Sequence, residues 1–251
     1  MYKILANTQN LGKDVVYLTE CHSTNDVALE FIRSGKASHG MVFWTQKQTK
    51  GKGQRGNSWF SEPDKNLTFS IVLKHSALDV SSIFLLNVAV SLAVHAVLRE
   101  FIDSILIKWP NDFVDAKKGK IGGMLIENSI SGHQVEYSVI GLGINVNQSQ
   151  FPFPGATSLS LLANREFSLE SLIQDLLLSM ETNYMKVVRG EVSTLLPAYL
   201  NHLYRFQQWA MYDDGAAFEG KIVGVSSDGR LLVQKQNGET HRYSLKSIKF
   251  L

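Results

Sequence analysis

The chain has 251 residues, of which 44% are hydrophobic and 19% are charged. These proportions are typical of a folded globular protein and exclude a disordered or collagen-like chain. The formal net charge is only +2, so the field of the whole molecule favours neither nucleic acid nor an anionic membrane surface as a partner. Cys21 is the single cysteine, which excludes a disulfide within the chain. Because the sequence also starts without an apolar run of signal-peptide length, we expect a cytoplasmic protein.

The first fifty residues alternate between β-prone and helical patterns. Residues 15–18 and 41–45 are short runs rich in β-branched and aromatic side chains, which predict strands. Between them, apolar residues recur at helical spacing. Ser23, followed three residues later by Asp26, predicts a capping box at the start of this helix, and Gly35 predicts its end.

The middle of the chain predicts further strands and two long helices. One helix is expected at residues 82–101, which are apolar on nearly every face, and the other at the amphipathic residues 169–188. Polar residues interrupt the apolar part of the first helix, which is too short to cross a bilayer, so no membrane association is expected. Strands are predicted at residues 67–73, 105–109, 121–127 and 137–145.

A domain boundary is predicted near Arg205, because the pattern beyond it changes to short strands and tight turns. Three alternating runs, at residues 216–225, 230–235 and 241–248, are separated by Asp-Gly and Asn-Gly pairs. Such pairs between alternating runs are strong hairpin signals. We therefore expect one domain at residues 1–205 and a small β-barrel at residues 206–251.

A glycine-rich stretch at residues 51–59, Gly-Lys-Gly-Gln-Arg-Gly-Asn-Ser-Trp, resembles two nucleotide-binding motifs without fitting either. A dinucleotide fingerprint requires a helix to open within the motif, but poor helix formers follow Trp59. A P-loop requires a lysine where Asn57 stands. The glycines still allow close backbone approach to a bound oxyanion, and Lys52 and Arg55 add positive charge. An exposed, flexible basic loop is an equally good interpretation of this stretch alone.

Two further segments stand out. One places charged residues at the ends of predicted strands, and the other places glycines inside a predicted strand. Lys-Trp-Pro-Asn-Asp ends a predicted strand at Asp112, and Lys120 begins another at a pair of glycines. These lysines and Asp112 suit a charged ligand, although a hairpin with solvated lysines and a turn-capping carboxylate explains them too. Residues 141–145, Gly-Leu-Gly-Ile-Asn, place glycines inside an apolar strand, which indicates either close approach by a ligand or another backbone, or a bulge.

The order of these segments resembles the biotin–protein ligase family over roughly residues 15–250. The matching segments are Ser-Thr-Asn-Asp from Ser23, residues 48–59, the Lys-Trp-Pro-Asn-Asp stretch, Gly-Lys-Ile-Gly-Gly from Gly119, and residues 141–145. Each segment is weak or moderate evidence alone, and five in the same order are strong. The most specific part is Lys-Trp-Pro-Asn-Asp followed by a lysine and a glycine pair.

The resemblance implies roles for individual residues. Lys120, Arg55 and Asp112 match catalytic positions, and Asp112 is also the candidate metal ligand. The positions that match biotin-binding residues are Ser23, Thr24, Asn25, Gln48, Gly51, Lys52, Gly53, Gln54, Lys120, Gly123 and Gly143. Those that match ATP-binding residues are Lys52, Arg55, Trp59, Asn111, Asp112, Lys120 and Asn145.

The glycine-rich loop departs from the family at one important position. The family loop commonly reads Gly-Arg-Gly-Arg-x-Gly-Arg, so Gln54 stands where an arginine is usual, and Lys52 offers a point charge in place of a bidentate fork. Whether Arg55 or Lys52 takes over that arginine's role stays open.

The resemblance implies an α+β fold, with helices packed on a mixed, antiparallel-rich sheet of the class II synthetase-like type and an SH3-like C-terminal barrel. The implied activity is ATP-dependent ligation of biotin, through biotinyl-5'-AMP and with Mg²⁺, to a lysine of a biotin carboxyl carrier protein of an acyl-CoA carboxylase. Lipoate ligation and biotin binding without catalysis are the alternatives. DNA binding is not expected, because only about twenty residues precede Ser23 and repressor members of the family carry a further domain there. A homodimer stays open.

Overall fold

The structure is a computed structural model, and it describes residues 6–251 apart from the side chain of Arg55. A seven-stranded sheet forms its centre. In chain order its strands are β1 (Val15–Cys21), β2 (Val42–Gln48), β3 (Leu67–Asp79), β4 (Ile105–Lys108), β5 (Asp112–Asp115), β6 (Gly119–Ser131) and β7 (Gln134–Ile144). Across the sheet their order is β1-β2-β3-β7-β6-β5-β4. β1 and β2 pair in parallel, and every other neighbouring pair is antiparallel.

Helices cover both faces of this sheet. They are α1 (Thr24–Arg33), α2 (Ile83–Arg99), α3 (Leu159–Ala163), α4 (Leu169–Val188) and α5 (Leu195–Asn201). Side chains alternate along each strand, so one strand serves both layers. Phe69 and Ile71 of β3 join the large core that includes α2 and α4. Val72 points the other way, into a smaller core with Ala28 of α1.

Helix α2 and the residues just before it, Val80–Arg99, are long and apolar enough by composition to span a membrane. Most of this segment is buried inside the molecule, against the large sheet, α4 and α5. This burial is that of a core helix, which explains why α2 is apolar on nearly every side.

A second, five-stranded antiparallel sheet follows at the C-terminal end. Its strands are β8 (Trp209–Asp213), β9 (Ala217–Val225), β10 (Leu231–Lys235), β11 (Thr240–Tyr243) and β12 (Lys249–Phe250), in the order β11-β10-β9-β8-β12. This arrangement is consistent with the expected SH3-like barrel. The predicted α+β class, with an antiparallel-rich mixed sheet and a separate small β unit, is confirmed.

Side chains of the Lys-Trp-Pro-Asn-Asp segment, and Arg205 from the segment between α5 and β8, contact the second sheet. Trp109 Nε1 donates a hydrogen bond to the carbonyl oxygen of Gly229 at 3.0 Å. The Nη2 of Arg205 donates to the carbonyl oxygen of Leu251 at 2.8 Å. Lys108 Nζ lies 4.9 Å from the ring centroid of Phe250. The two sheets therefore meet beside the strand that leads into Asp112.

The two long helices follow the sequence prediction, whereas β3 and β6 extend beyond their predicted bounds and some short elements were not predicted. Helix α4 has the predicted bounds, and α2 is two residues shorter at its C-terminal end and one at its start. The strands β5, β8 and β12 and the helices α3 and α5 were not predicted. Each has seven residues or fewer, too few for a periodic pattern to stand out from neighbouring loops.

Candidate functional site

The candidate residues converge on one end of the large sheet because of its topology. β1 and β2 are parallel neighbours, with Cys21 paired to Gln48, so the chain leaves both strands at the same end. Helix α1 begins directly after β1, and the glycine-rich loop follows β2. β6 starts and β7 finishes at this end too, with Gly123 paired to Gly143.

A cavity of about 260 Å³ lies at this end of the sheet. Most of the residues proposed from the sequence line it, namely Ser23, Thr24, Asn25, Gln48, Lys52, Gly53, Gln54, Trp59, Asp112, Lys120, Gly123 and Gly143. Gly51, Asn111 and Asn145 are not among its lining residues. The side chain of Arg55 lies outside the described residues, so its predicted role is not examined by the structure.

Lys120 and Asp112 form the charged centre of the cavity. Lys120 Nζ lies 2.7 Å from Asp112 Oδ1, and the two side chains are 37% and 34% exposed. A Cβ atom at Gly123 would lie 2.6 Å from the same carboxylate oxygen and 3.2 Å from Lys120 Nζ. Glycine at position 123 therefore leaves the space in which the ion pair forms, and this space opens to the cavity.

The neighbouring Lys108 adds a second, more buried cation. Burial lowers the pKa of the Lys108 amine, and the positive charges of Lys120 and Arg205 lower it further, whereas Asp112 opposes the shift. Asp112 thus lies near cations on both strands that pair with β5, Lys108 of β4 and Lys120 of β6.

The start of α1 supplies a polar pocket. Gln48 Oε1 accepts hydrogen bonds from the backbone N–H of Thr24 at 2.8 Å and from its hydroxyl at 3.2 Å. Asn25 Nδ2 donates to Glu127 Oε2 at 2.7 Å. Ser70 Oγ lies 2.7 Å from Thr24 Oγ1 and 2.6 Å from Asn25 Oδ1. These buried groups hold one another in fixed orientations, as recognition of a small polar ring requires.

The capping box predicted at Ser23 and Asp26 is not formed. Ser23 is the N-cap residue of α1, as expected, but its side chain makes no capping hydrogen bond. Its side chain is instead buried at the cavity wall. Asp26 forms an ion pair with Lys52 of the glycine-rich loop. Tertiary partners thus replace the local contact that the spacing predicted.

The glycine-rich loop folds back on itself as a small hairpin. The N–H of Gly53 donates to the carbonyl of Asn57 at 2.7 Å, and that of Trp59 donates to Gly51 at 2.8 Å. Only a single 3-10 turn, Gln54–Gly56, forms at its tip. The helix that a dinucleotide fingerprint would require is therefore absent from this described backbone, in agreement with the sequence argument.

The glycines of the loop and of β7 make room mainly for protein atoms. A Cβ atom at Gly51 would lie 2.4 Å from the carbonyl oxygen of Trp59. At Gly143 it would lie 2.5 Å from the Trp59 ring, and at Gly141 it would lie 2.2 Å from Asn25 Oδ1. The close approach predicted for residues 141–145 is thus made by side chains that line the cavity.

Asn145 and Asn111 lie behind the cavity wall. Asn145 Nδ2 donates to the carbonyl of Thr157 at 3.0 Å, which ties β7 to the segment before α3. Asn111 Oδ1 accepts a hydrogen bond from Gln54 Nε2 at 2.6 Å. Asn111 also lines an adjoining cavity of about 740 Å³ between α2, β6 and the second sheet.

Three of the lining residues that were not proposed from the sequence lie outside the family-like segments: Thr68, Leu245 and Lys246. Thr68 of β3 has a buried hydroxyl oxygen without a hydrogen-bond partner among the described residues. Leu245 and Lys246 reach the cavity from the second sheet. No local motif marks them, because only the packing of the two sheets brings residues 245 and 246 to the cavity.

No group of three or more His, Cys, Asp or Glu residues with metal-site geometry occurs in the part of the chain that the structure describes. Asp112 is the only Asp or Glu among the described residues that line the cavity. A metal with a full set of protein ligands is therefore not indicated at this site, whereas a cation shared with a bound phosphate requires only one or two carboxylates.

Comparison with known proteins decides the family. A family model described as the biotin/lipoate A/B protein ligase family matches residues 17–145, just over half of the chain. The chain belongs to this family. The matched residues include Ser23, Gln48, Asp112 and Lys120, and they cover the large sheet from β1 to β7.

Individual proteins that are similar to this chain are also named as ligases. It is 28% identical to the bifunctional ligase/repressor BirA of Bacillus spizizenii, over 94% of this chain and 74% of that protein. A biotin–[acetyl-CoA-carboxylase] ligase of Mycobacterium tuberculosis is 30% identical over 55% of this chain and 51% of its own length. The biotin protein ligase of Aquifex aeolicus, solved in complex with biotin and ATP, superposes with a TM-score of 0.78 at 23% identity, covering 95% of this chain and 99% of that one. The last comparison shows the fold.

Proposed function

We propose that this protein is an ATP-dependent biotin–protein ligase that joins biotin to a specific lysine of a biotin carboxyl carrier protein. The observation that carries the proposal is the cavity at one end of the large sheet, where the Lys120–Asp112 ion pair lies close to the Thr24–Gln48 pocket. One part of this cavity suits a charged carboxylate and phosphate, and the other suits a polar ring. The reported relatives, which are biotin ligases, support the same substrates.

The first half-reaction activates biotin. A carboxylate oxygen attacks the α-phosphorus of ATP, a P–O bond forms, the bond to pyrophosphate breaks, and biotinyl-5'-AMP remains. The protein supplies no nucleophile for this step, so its task is alignment and neutralisation of charge. Lys120 is the residue to which we assign this task, because its amine is anchored 2.7 Å from Asp112 and faces the cavity.

The glycine-rich loop is proposed to cover the reacting groups. Lys52 leaves Asp26 or shares its charge with the nucleotide phosphate, and Arg55 adds its guanidinium. Gly51 and Gly53 permit the tight hairpin that brings the loop backbone near biotin. Trp59 borders the nucleotide, since its ring lies between Gly143 and Lys120.

The polar pocket is proposed to hold the ureido ring of biotin. Ser23, Thr24, Asn25 and Gln48 offer hydroxyl and amide groups that can both donate and accept hydrogen bonds. Thr68, whose hydroxyl has no partner among the described residues, is an additional candidate. Gly123 and Gly143 leave room for the Lys120–Asp112 pair and for the Trp59 ring beside the pocket. Gln54 lines the cavity, and Asn111 and Asn145 lie behind its wall.

Magnesium is the metal we assign to the reaction, and Asp112 is the residue that would hold it. When bound with ATP, Mg²⁺ neutralises negative charge on the phosphates, and it commonly takes only one or two protein carboxylates. A single carboxylate at the centre of the cavity fits that coordination.

The second half-reaction transfers the acyl group. The amine of the carrier lysine attacks the acyl carbon of biotinyl-5'-AMP, the new C–N bond forms, and AMP leaves with the electrons of the C–O bond. The amine must lose a proton, and Asp112 is our candidate acceptor. We assign catalysis to residues 1–205, with residues 206–251 contributing Leu245 and Lys246 to the rim. A cytoplasmic location and a carboxylase carrier complete the proposal.

The first experiment measures pyrophosphate release by the purified protein with Mg-ATP, adding biotin or lipoate in turn. Release with biotin alone is the expected result. Release with lipoate alone would change the substrate to lipoate within the same family. If neither acid elicits release while biotin still raises the Tm, the protein is a non-catalytic biotin-binding module and the proposed activity is wrong.

A further inference from the structure

A row of three side-chain amides connects the glycine-rich loop to the buried helix α2. Asn87 Nδ2 donates to the carbonyl oxygen of Pro110 at 3.1 Å. Asn111 Nδ2 donates to Asn87 Oδ1 at 2.9 Å, and Gln54 Nε2 donates to Asn111 Oδ1 at 2.6 Å. Asn87 and Asn111 are only 8% and 3% exposed. We call these three residues the amide relay.

The hydrogen bonds of the amide relay can be donated in only one direction, from Gln54 through Asn111 and Asn87 to the Pro110 carbonyl. Pro110 presents a backbone carbonyl, which can only accept, so Asn87 must turn its NH₂ group towards it. The oxygen of Asn87 then faces Asn111, which must present its own NH₂ group, and its oxygen in turn faces Gln54. At the far end, Gln54 Nε2 also points at the carbonyl of Met124, 3.4 Å away. Because carbonyls stand at both ends, position 54 has to supply a donor.

We infer that Asn87 and Asn111 are positioning residues that hold the glycine-rich loop over the cavity through Gln54, and that a hydrogen-bond donor is required at position 54. The kinetic part of this inference rests on the proposed ligase activity, whereas the structural part does not. Gln54 stands where an arginine is common in the family. Both side chains are donors, so the relay explains how glutamine serves at this position without a guanidinium.

Asn87→Leu removes both relay contacts of Asn87 with little change in side-chain size. The carbonyl of Pro110 keeps a partner, because the hydroxyl of the buried Tyr199 donates to it at 2.8 Å. The buried Nδ2 of Asn111 loses its acceptor, which costs about 1–3 kcal/mol, so the variant is expected to fold with a lower Tm than the wild type. Ser91→Ala is the matched control, since Ser91 lies one turn further along α2, is fully buried, and its hydroxyl has no partner among the described residues.

Hydrogen exchange tests the loop directly and needs no enzymatic activity. The amides of Gly53 and Trp59, which close the loop hairpin, should exchange roughly fivefold to tenfold faster in Asn87→Leu, since one net hydrogen bond contributes about that factor. Ser91→Ala should exchange at the wild-type rate. Gln54→Glu, which has no donor, should behave like Asn87→Leu, whereas Gln54→Arg should keep the loop amides protected to within about twofold.

Steady-state pyrophosphate release then separates positioning from general destabilisation. Asn87→Leu should raise the KM for ATP and biotin by about fivefold to tenfold with kcat changed by less than about twofold. The double variant Asn87→Leu/Gln54→Glu should be no more than about twofold worse than the poorer single variant, because both changes break one relay.

Three outcomes would overturn the inference: unchanged loop exchange in Asn87→Leu, full protection in Gln54→Glu, or multiplicative effects in the double variant. Failure of the proposed activity is distinguishable from these, since a wild-type protein that releases no pyrophosphate would still report on the relay through hydrogen exchange.

Discussion

Lys120 and Asp112 are more informative as a pair than as separate residues. Each is about one-third exposed, so the ion pair between them adds little to the stability of the fold. Its position between β5 and β6, in the space left by Gly123, nevertheless holds both charges at the cavity. This combination is consistent with the proposed role of the pair, in which the amine turns to a phosphate and the carboxylate is then free.

Lys120→Ala is predicted to slow biotinyl-adenylate formation by about a hundredfold or more, because the charge that meets the carboxylate and the α-phosphate is lost. Unfolding should change little, since the side chain is partly solvated. Single-turnover adenylate formation and the Tm are the measurements. Lys118→Ala, on the exposed turn before β6, is the matched control and should leave both near wild type. Near-normal adenylation in Lys120→Ala would refute the assigned role.

At the scale of single residues, the sequence anticipated which positions line the cavity better than it anticipated their contacts. Twelve of the proposed residues lie at the cavity, and their motifs mark them in the chain. Lys52 was expected at a phosphate and pairs with Asp26, and Gln54 was expected at biotin and donates to Asn111. Those partners come from other segments, and no spacing along the chain encodes them.

Helix α2 shows how an element that looks purely apolar carries polar functions inside the core. Its Asn87 joins the amide relay. Its His95 Nε2 donates a hydrogen bond to the Ile105 carbonyl at 3.0 Å, and the His95 ring packs against His202 with ring centroids 4.3 Å apart. Burial lowers the pKa of His95 to about 4, although the hydrogen bond to Ile105 opposes the shift. Protonating this ring therefore requires a costly buried charge.

The buried His95 predicts that stability decreases as the pH falls. An unfolded histidine titrates near pH 6.5, whereas the folded His95 has a pKa of about 4, so the unfolded chain binds more protons in this window. The stability is fully present above about pH 6.5 and is lost as the pH falls towards 4. Between pH 7 and 5 this single group contributes up to about 2 kcal/mol. Burial lowers the pKa of His75 to about 4 as well, so the two effects add.

Urea unfolding at pH 7 and pH 5 checks this prediction. His95→Gln, which keeps a neutral donor, should reduce the difference between the two pH values by up to about 2 kcal/mol. His133→Gln, at an exposed turn, should preserve the wild-type difference. An unchanged pH dependence in His95→Gln would show that the buried ring is not the source.

At the scale of elements, the two long helices were predicted more completely than the strands of the large sheet. Helices α2 and α4 extend over seventeen and twenty residues, so their apolar periodicity repeats several times and is visible in the sequence. The four-residue β5 carries Asp112 but has no such repeat. It exists because β4 and β6 offer it partners on both sides, which is a tertiary condition.

At the scale of the whole molecule, the two sheets are joined at a contact between Trp109 and Gly229, which we call the junction. Gly229, at the turn before β10, has φ +84 and accepts a hydrogen bond from Trp109. A Cβ atom there would lie 2.6 Å from Phe84 Cδ2. Trp109 and Leu245 line the cavity from opposite sides of this junction, so its geometry sets the shape of the rim.

Gly229→Ala is predicted to cost about 1–3 kcal/mol more than Gly238→Ala, because it adds a clash with Phe84 to the same backbone strain. Gly238 has φ +88 but no atom within 4 Å of the added Cβ, so it reports the strain alone. Only Gly229→Ala should also lower the rate of adenylate formation, through displacement of Trp109 and the second sheet. Equal stabilities and rates in the two variants would exclude a functional junction. Chemical denaturation and pyrophosphate release provide the two measurements.

The sequence by itself determined the fold class, the family resemblance, the long helices and most strands, and twelve of the residues that line the cavity. These features depend on local periodicity and on motifs within short segments, which a linear chain displays. Only the tertiary structure decided which side chains meet: the Lys52–Asp26 pair, the amide relay, and the arrival of Leu245 and Lys246 at the cavity. Such contacts join residues tens to more than a hundred positions apart. Their free energies depend on burial and geometry, which exist only once the sheets and helices have packed.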